Sequence, residues 1–368
     1  MEWMLIQISD STNINNKGGI KTSAPYFFTI INHHQKSNTM KKLFTTLAMA
    51  LIGIAVAQET EPTFSLSGTV DTYFRSSEYA PGTSFANLPG FSLGMANLIF
   101  AYEGEDHGFV ADLVMGPRGT EAVFNSSGSS NIVNQLYVYY NLSDSVTLTF
   151  GNFNTFLGYE VISPAANFNY STSYLFSYGP FSHTGLKLDA ALSDDISLML
   201  GVMNQTDYTE GNFDSAGDGS AFDKYMFGAQ LGLYGQYLNL LAGEDYTQID
   251  YTGGFDLSSG FYLGINASKA SLVDGAEFSG VALYPQIGLS DDFSLGLRGE
   301  IFKDNGAGIL GDGELDNTSL TLTGSYSSGN FTFKPEFRLD KGSEAFYAND
   351  SGSTDSLSSF VLAAIYSF

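Results

Sequence analysis

Alternation with a period of two is the feature that most limits what this chain can fold into. In "FSLGLRGEIF" one face carries Phe293, Leu295, Leu297, Gly299 and Ile301, and the other Ser294, Gly296, Arg298 and Glu300. "ISLMLGV" places Ile196, Leu198, Leu200 and Val202 together, and "FTFKPEFRL" sets Phe331, Phe333, Phe337 and Leu339 opposite Thr332, Lys334, Glu336 and Arg338. Successive side chains of a strand point to opposite faces, so each run is a ribbon with one apolar and one polar side. Sixteen such runs are expected, near 64–75, 91–102, 109–116, 132–142, 146–155, 184–192, 196–204, 225–234, 237–244, 249–257, 261–268, 279–289, 293–302, 318–326, 331–339 and 356–368. Pro285 and Pro335 fall inside apolar runs, where each deletes a ladder hydrogen bond and suggests a bulge.

Connector lengths turn the strands into an architecture. Joins after even-numbered strands are short ("EGEDHG", "SDS", "SDD", "GQ", "SSG", "SDD", "SSGN"), and most joins after odd-numbered strands are long and rich in Gly, Ser, Asn and Asp. That pattern predicts an all-β, transmembrane, antiparallel up-and-down barrel of about 16 strands, with short periplasmic turns and long extracellular loops. The recurring "LSDD" and its relatives are then periplasmic turns whose Ser and Asp side chains bond local backbone. The final strand, "SSFVLAAIYSF", puts Phe360, Leu362, Ala364, Tyr366 and Phe368 on one face, and Phe368 resembles the terminal aromatic by which the barrel-assembly machinery receives its clients.

Composition agrees. Charged residues are 15 %, glycines number 41, phenylalanines 30 and tyrosines 22, and there is no cysteine. Dispersed apolar residues without a run of about 20 suit strands in lipid rather than a spanning helix. From Met40, "MKKLFTTLAMALIGIAVAQE" has a basic start, an apolar core and a small-x-small site at Ala57, the pattern of a secretory signal peptide. The expected organisation is therefore a non-native upstream extension (1–39), a signal peptide (40–57) and the barrel (58–368), directed to the outer membrane of a Gram-negative cell. Residues 1–57 hold five Lys/Arg and two Asp/Glu, so 58–368 keep 10 and 37, a net charge of −27. Such an excess excludes nucleic acid as a partner, since that needs a basic footprint.

A barrel of about 16 strands can enclose an aqueous lumen. Arg75, Asp112, Lys187, Asp189, Arg298, Glu300, Lys334, Glu336 and Arg338, with Asp71, lie opposite apolar positions and are the expected pore lining. A charge turned to lipid at mid-membrane costs about 2–4 kcal/mol, which drives them inward. The connector "FLGYEVISPAANFNYSTSYLFSYGPFSHTG" is aromatic and poor in charge, so residues 156–183 are expected to fold into the lumen, with Glu160, Asn167, Tyr170 and Tyr174 forming a constriction. The first strand follows the cleavage site closely, leaving no room there for a plug domain.

Catalysis is not expected. Of the two histidines after residue 57, His107 lies in a turn and His183 follows Ser182 on an extended strand, where neighbours point apart. The acidic loops 211–223 and 304–316 lack the alternating carboxylates of an EF-hand, so neither a metal nor a cofactor is expected.

The stretch "GNFNTFLGYEVISPAANFNYSTSYLFSYGPFSHTG" resembles the hallmark region of the OmpL-like β-barrel porin family. The matching residues are Gly151, Phe153, Gly158, Glu160, Asn167, Tyr170, Ser171, Ser173, Tyr174, Pro180, Phe181, Thr184 and Gly185. The resemblance implies an outer-membrane porin and transfers no catalytic residue. The function expected is passive diffusion of small hydrophilic solutes and ions, with a weak cation preference from the acidic loops. The alternative is a surface adhesin or structural barrel with a plugged lumen. Expected partners are outer-membrane lipid, the assembly machinery through Phe368, and the solutes. Trimers are common among porins, so a homotrimer is compatible, and no interface is marked.

Overall fold

The computed structural model describes residues 62–368, apart from 83–84, 124–125, 127, 210 and 212–223. The expected upstream extension, signal peptide and most of the 211–223 loop lie outside the described residues. The first strands are β1 (Thr63–Arg75), β2 (Gly90–Glu103), β3 (His107–Met115), β4 (Val133–Ser143) and β5 (Val146–Asn154). After a long connector come β6 (Ser182–Ser193), β7 (Ile196–Asn204), β8 (Tyr225–Leu233), β9 (Gln236–Ala242) and β10 (Tyr246–Ser258). Then follow β11 (Phe261–Leu272), β12 (Glu277–Gly288), β13 (Phe293–Asn305), β14 (Glu314–Ser328) and β15 (Phe331–Gly342). A short hairpin, β16 (Tyr347–Asn349) and β17 (Gly352–Thr354), precedes β18 (Ser356–Ser367).

Sixteen of these strands form one closed antiparallel barrel, each paired with its sequence neighbours, with β18 joining β15 to β1. Closure leaves no unpaired edge, the only way for a sheet to satisfy its backbone in lipid. The seam is tied at the C-terminus: Gly68 N–H donates to Phe368 O and Phe368 N–H to Gly68 O, both at 3.0 Å. A Cβ at Gly68 would lie 2.1 Å from Asn97 O and 3.0 Å from the Phe368 ring, so the seam closes only over a residue without one.

The polarity is inverted relative to a soluble protein. Phe91 is 92 % exposed on the outer wall, whereas Arg298 inside is 0 % exposed. Tyr140, Tyr234, Phe255, Tyr326, Phe331 and Tyr366 are exposed around the short-turn end, the pattern of the aromatic girdles of membrane-spanning barrels. At that end the serines of the recurring turns act as expected: Ser143 Oγ accepts from Ser145 N–H at 3.3 Å, Ser193 Oγ from Asp195 N–H at 3.4 Å, and Ser290 Oγ from Phe293 N–H at 3.1 Å. The turn after β8 is Tyr234–Gly235, one residue earlier than expected, and both residues are left-handed (φ 51° and 77°), which matches the twist of the flanking strands.

Two expectations are corrected. Neither Pro285 nor Pro335 marks a bulge: the register runs unbroken past both, because each points outward on its strand and only a local ladder bond is lost. Two register shifts lie instead where an inward carboxylate captures the partner strand, between Val70 and Thr72 of β1 and between Asp112 and Leu113 of β3, and three more sit beside short turns, at Asn141/Ser143, Ala191/Ser193 and Asp256/Ser258. Several strands also outrun the apolar alternation. β14 starts at Glu314, four residues early, because the ladder continues past the lipid into water, where outward residues are polar.

Candidate functional site: the segment inside the barrel

Past Asn154 the chain leaves the wall and turns inward. Thr155 Oγ1 accepts from Leu157 N–H at 3.1 Å and meets His183 Nε2 at 2.9 Å, so His183 is buried against the segment and does not face Ser182. Phe156 and Leu157 pack on Met199, Met203, Met226 and Leu241. Gly158, left-handed at φ 82°, donates its N–H to Asp250 Oδ1 at 2.9 Å. Asp250 is held in turn by the side-chain amides of Asn239 (2.8 Å) and Asn266 (2.6 Å). Tyr159 stacks on Tyr284 with ring centroids 4.3 Å apart.

The next turn of chain is fastened by charge. Glu160 pairs with Arg298 Nη1 at 2.6 Å and accepts from Ser173 N–H at 2.6 Å. Arg298 also donates to Ser171 O at 2.5 Å and Thr321 Oγ1 at 3.1 Å. Asn167 folds the segment on itself: its Oδ1 accepts from Val161 N–H at 3.0 Å and its Nδ2 donates to Val161 O at 2.5 Å. Lys334 Nζ donates to Pro164 O (2.8 Å) and Asn167 O (2.5 Å).

Two carboxylates each take a pair of consecutive backbone N–H groups. Glu336 accepts from Tyr170 (2.7 Å) and Ser171 (3.0 Å), and Glu300 from Tyr174 (2.9 Å) and Leu175 (2.8 Å). The second pair opens the short helix α1 (Tyr174–Ser177), capped by Ser173 Oγ on Phe176 N–H at 3.0 Å. Arg338 donates to Thr172 O at 2.8 Å while paired to Asp340 at 2.9 Å. Tyr170 Oη donates to Asp71 at 2.5 Å, and Arg118 lies 4.8 Å over its ring while donating to Tyr170 O at 2.7 Å. The segment returns to the wall where Asp207 Oδ1 accepts from Phe181 N–H (2.7 Å) and Ser182 N–H (3.0 Å). Asp207 lies in the connector beyond β7, and burial pushes its carboxyl up to about 6 although both N–H groups favour the anion.

All nine charged residues read from the sequence as pore lining point inward, with three different environments. Arg298, Glu300, Lys334, Glu336 and Arg338 lie beneath the segment and are spent on holding it. Arg75 ties the β1–β2 connector through Ser77 O, Glu78 O and Ala86 O at 2.7–2.9 Å, and Asp112 knits the wall through Asn97, Asn134 and Gln135. Of the nine only Asp189, paired with Lys187 at 3.0 Å, keeps open surface, at 35 % exposed, while Lys187 is buried over the Phe153 ring. Glu160, Asn167, Tyr170 and Tyr174 are all buried within the segment's contacts. Asp250, Arg118 and Asp207 were not singled out. Asp250 sits at a polar position of an alternating strand and was legible in principle, whereas Arg118 and Asp207 lie in connectors without periodicity. Among the described residues, no group of three or more His, Cys, Asp or Glu side chains could hold a metal ion.

The arrangement crosses a wide barrel with a backbone-tethered bar. DcaP, the outer membrane channel of Acinetobacter baumannii, shares this fold at a TM-score of 0.52 and 13 % identity over 83 % of this chain and 97 % of its own. The anion-selective porin of Comamonas acidovorans gives 0.54 and 11 % over 84 % and 100 %. OmpT, an outer membrane protein of Vibrio cholerae, in its trimer form gives 0.53 and 10 % over 84 % and 100 %. At such identities the likeness is one of fold. No curated protein matches the chain in sequence. The family described as "Putative beta-barrel porin-2, OmpL-like" matches residues 63–368, the whole barrel, and the chain belongs to that family of outer-membrane porins.

Proposed function

We propose that the protein is a diffusion channel for small hydrophilic solutes and ions, narrowed by residues 156–183 and weakly cation-preferring. The carrying observation is the charged clamp: Arg298, Glu300, Lys334, Glu336 and Arg338 fix the backbone of one connector across the barrel. A connector merely resting on the rim needs no such set of buried charges, and burying them unpaired would cost several kcal/mol each. On this proposal solute passes the side of the lumen where Asp189 keeps open surface, and acidic connectors concentrate cations at the outer mouth. In this reading residues 40–57 are removed after Ala57, Phe368 presents the chain to the assembly machinery, and lipid surrounds the wall. A homotrimer is supported by the trimer form of OmpT.

The near-complete burial of Arg298 and Glu336 supports a second reading, a barrel whose lumen the segment plugs, acting at the surface as an adhesin or structural protein. Single-channel conductance of residues 58–368 in a planar bilayer, with a salt gradient, separates the two. Stable steps with a reversal potential of cationic sign are expected. A correctly folded barrel without steps would put the plugged form first.

A further inference from the structure

At the outer mouth a cavity of about 250 Å³ lies directly on the tethered segment. It is lined by Tyr174 and Tyr178 of the segment, by the β1–β2 connector (Tyr79), the β13–β14 connector (Ile309, Leu310) and the chain entering the β16–β17 hairpin (Phe346, Tyr347). No lining side chain carries a formal charge, in a molecule of net charge −24 whose inner wall is densely charged. Four tyrosines and one phenylalanine line it, Tyr174 and Tyr347 as buried backing and Tyr79, Tyr178 and Phe346 with accessible surface. Tyr174 and Tyr178 stack within 25° of parallel with centroids 6.2 Å apart, and Phe346 lies 4.5 Å from Tyr347. The Tyr174 and Tyr347 hydroxyls meet at 2.7 Å, and Tyr347 is fixed by Asn317 at 2.6 Å, so the deeper rings are held in place. Tyr178 is 36 % exposed, leaving ring surface to the cavity.

We infer that this cavity is a binding subsite for a neutral, polyhydroxylated ring, a mono- or disaccharide unit. Such a ligand has an apolar C–H face that lies on an aromatic ring, here Tyr178 and Phe346, and a rim of hydroxyls that can bond the Tyr178 hydroxyl and donate to the accepting lone pairs of the tied tyrosine hydroxyls. A charged solute would find no counter-ion among the lining residues. A flat aromatic solute could use the ring faces but brings no hydroxyl rim to meet the polar atoms around them. The inference rests on the channel reading only for its purpose, which is to concentrate solute above the constriction.

The test is saturation-transfer NMR on the detergent-solubilised barrel with methyl glucoside, maltose, benzyl alcohol and succinate as probes, alongside conductance of the same preparation. Transfer to the sugar ring protons is expected, at millimolar affinity, with at least a fivefold loss in Tyr178→Ala and in the separate variant Phe346→Ala on the opposite side of the cavity. Succinate is expected to give no transfer. Equal transfer to benzyl alcohol and to the sugars, or sugar transfer unchanged in both variants, overturns the assignment. Sugar binding without conductance steps would overturn the channel and leave the subsite standing. Steps without sugar binding would do the reverse.

Discussion

The inner wall at β13–β15 and the inner wall at β7–β9 hold the same segment by different chemistry. On β13–β15 the contacts are directional: Arg298, Glu300, Lys334, Glu336 and Arg338 each reach backbone carbonyls or N–H groups between Pro164 and Leu175. On β7–β9 they are packing: Met199, Met203, Met226 and Leu241 close around Phe156 and Leu157. A Cβ at Gly228 would come within 2.7 Å of the Phe156 ring, so that wall is also shaved to admit it. Directional contacts to backbone fix where a chain lies whatever its side chains are, whereas apolar packing fixes only that something fills the space. The charged wall therefore sets the position of the bar, and the apolar wall anchors its root.

The largest effect should come from breaking the charged wall. Arg298→Met leaves Glu160 buried with no cation and strips donors from Ser171 O and Thr321, a change worth about 3–5 kcal/mol. Urea unfolding of the folded barrel measures it. Adding Glu160→Gln should return much of the loss, because the remaining partner is then neutral. If the two substitutions simply add, Glu160 and Arg298 do not act as a pair. Conductance of Arg298→Met should rise as the middle of the segment is released.

Met203→Ala on the other wall removes a buried side chain, at the lower end of the about 2–5 kcal/mol seen for such truncations, because its methionine neighbours can shift into the space. Channel conductance should stay close to the parent value, since every backbone tether on β13–β15 remains. A rise like that of Arg298→Met would mean that packing, not charge, positions the bar. Smaller still is Asp189→Asn, at the partly open pair: the cation-to-anion permeability ratio should fall by no more than about twofold, and less at high salt. Replacing Lys334 and Arg338 together should raise cation preference, and conductance with it, since both donate to segment carbonyls.

The difference between the walls also marks what could be read before the fold was known. Strand positions and the inward side of each charge follow from period two alone, because lipid tolerates only one face of each ribbon. What those charges do does not follow. "FKPEFR" reads as three charges facing water, yet Lys334, Glu336 and Arg338 face a folded connector 160 residues and more away in sequence, and their partners are backbone atoms common to every residue. Arg118 was illegible for a related reason: it sits in a connector whose path is set by tertiary contacts with Tyr170 and Phe85. The strands past the lipid boundary went unread because the backbone ladder continues there without the apolar pattern.

The smallest expected effect concerns the point where the bar rejoins the wall. Asp207 takes the N–H groups of Phe181 and Ser182, and burial raises its carboxyl to about 6, against about 3.9 in an unfolded chain. Between those values the folded protein binds the proton that the unfolded chain has lost, so stability falls as pH rises from about 4 to about 6 and is level above. The change should stay under about 2 kcal/mol, because water reaches part of this residue. Asp207→Asn removes the titration while keeping an acceptor for the two N–H groups. Unfolding midpoints at pH 4, 5, 6 and 7 should therefore slope downward in the parent more than in the variant. Parallel profiles would mean that Asp207 is ionised in the fold throughout, and that an anion holds the exit of the bar.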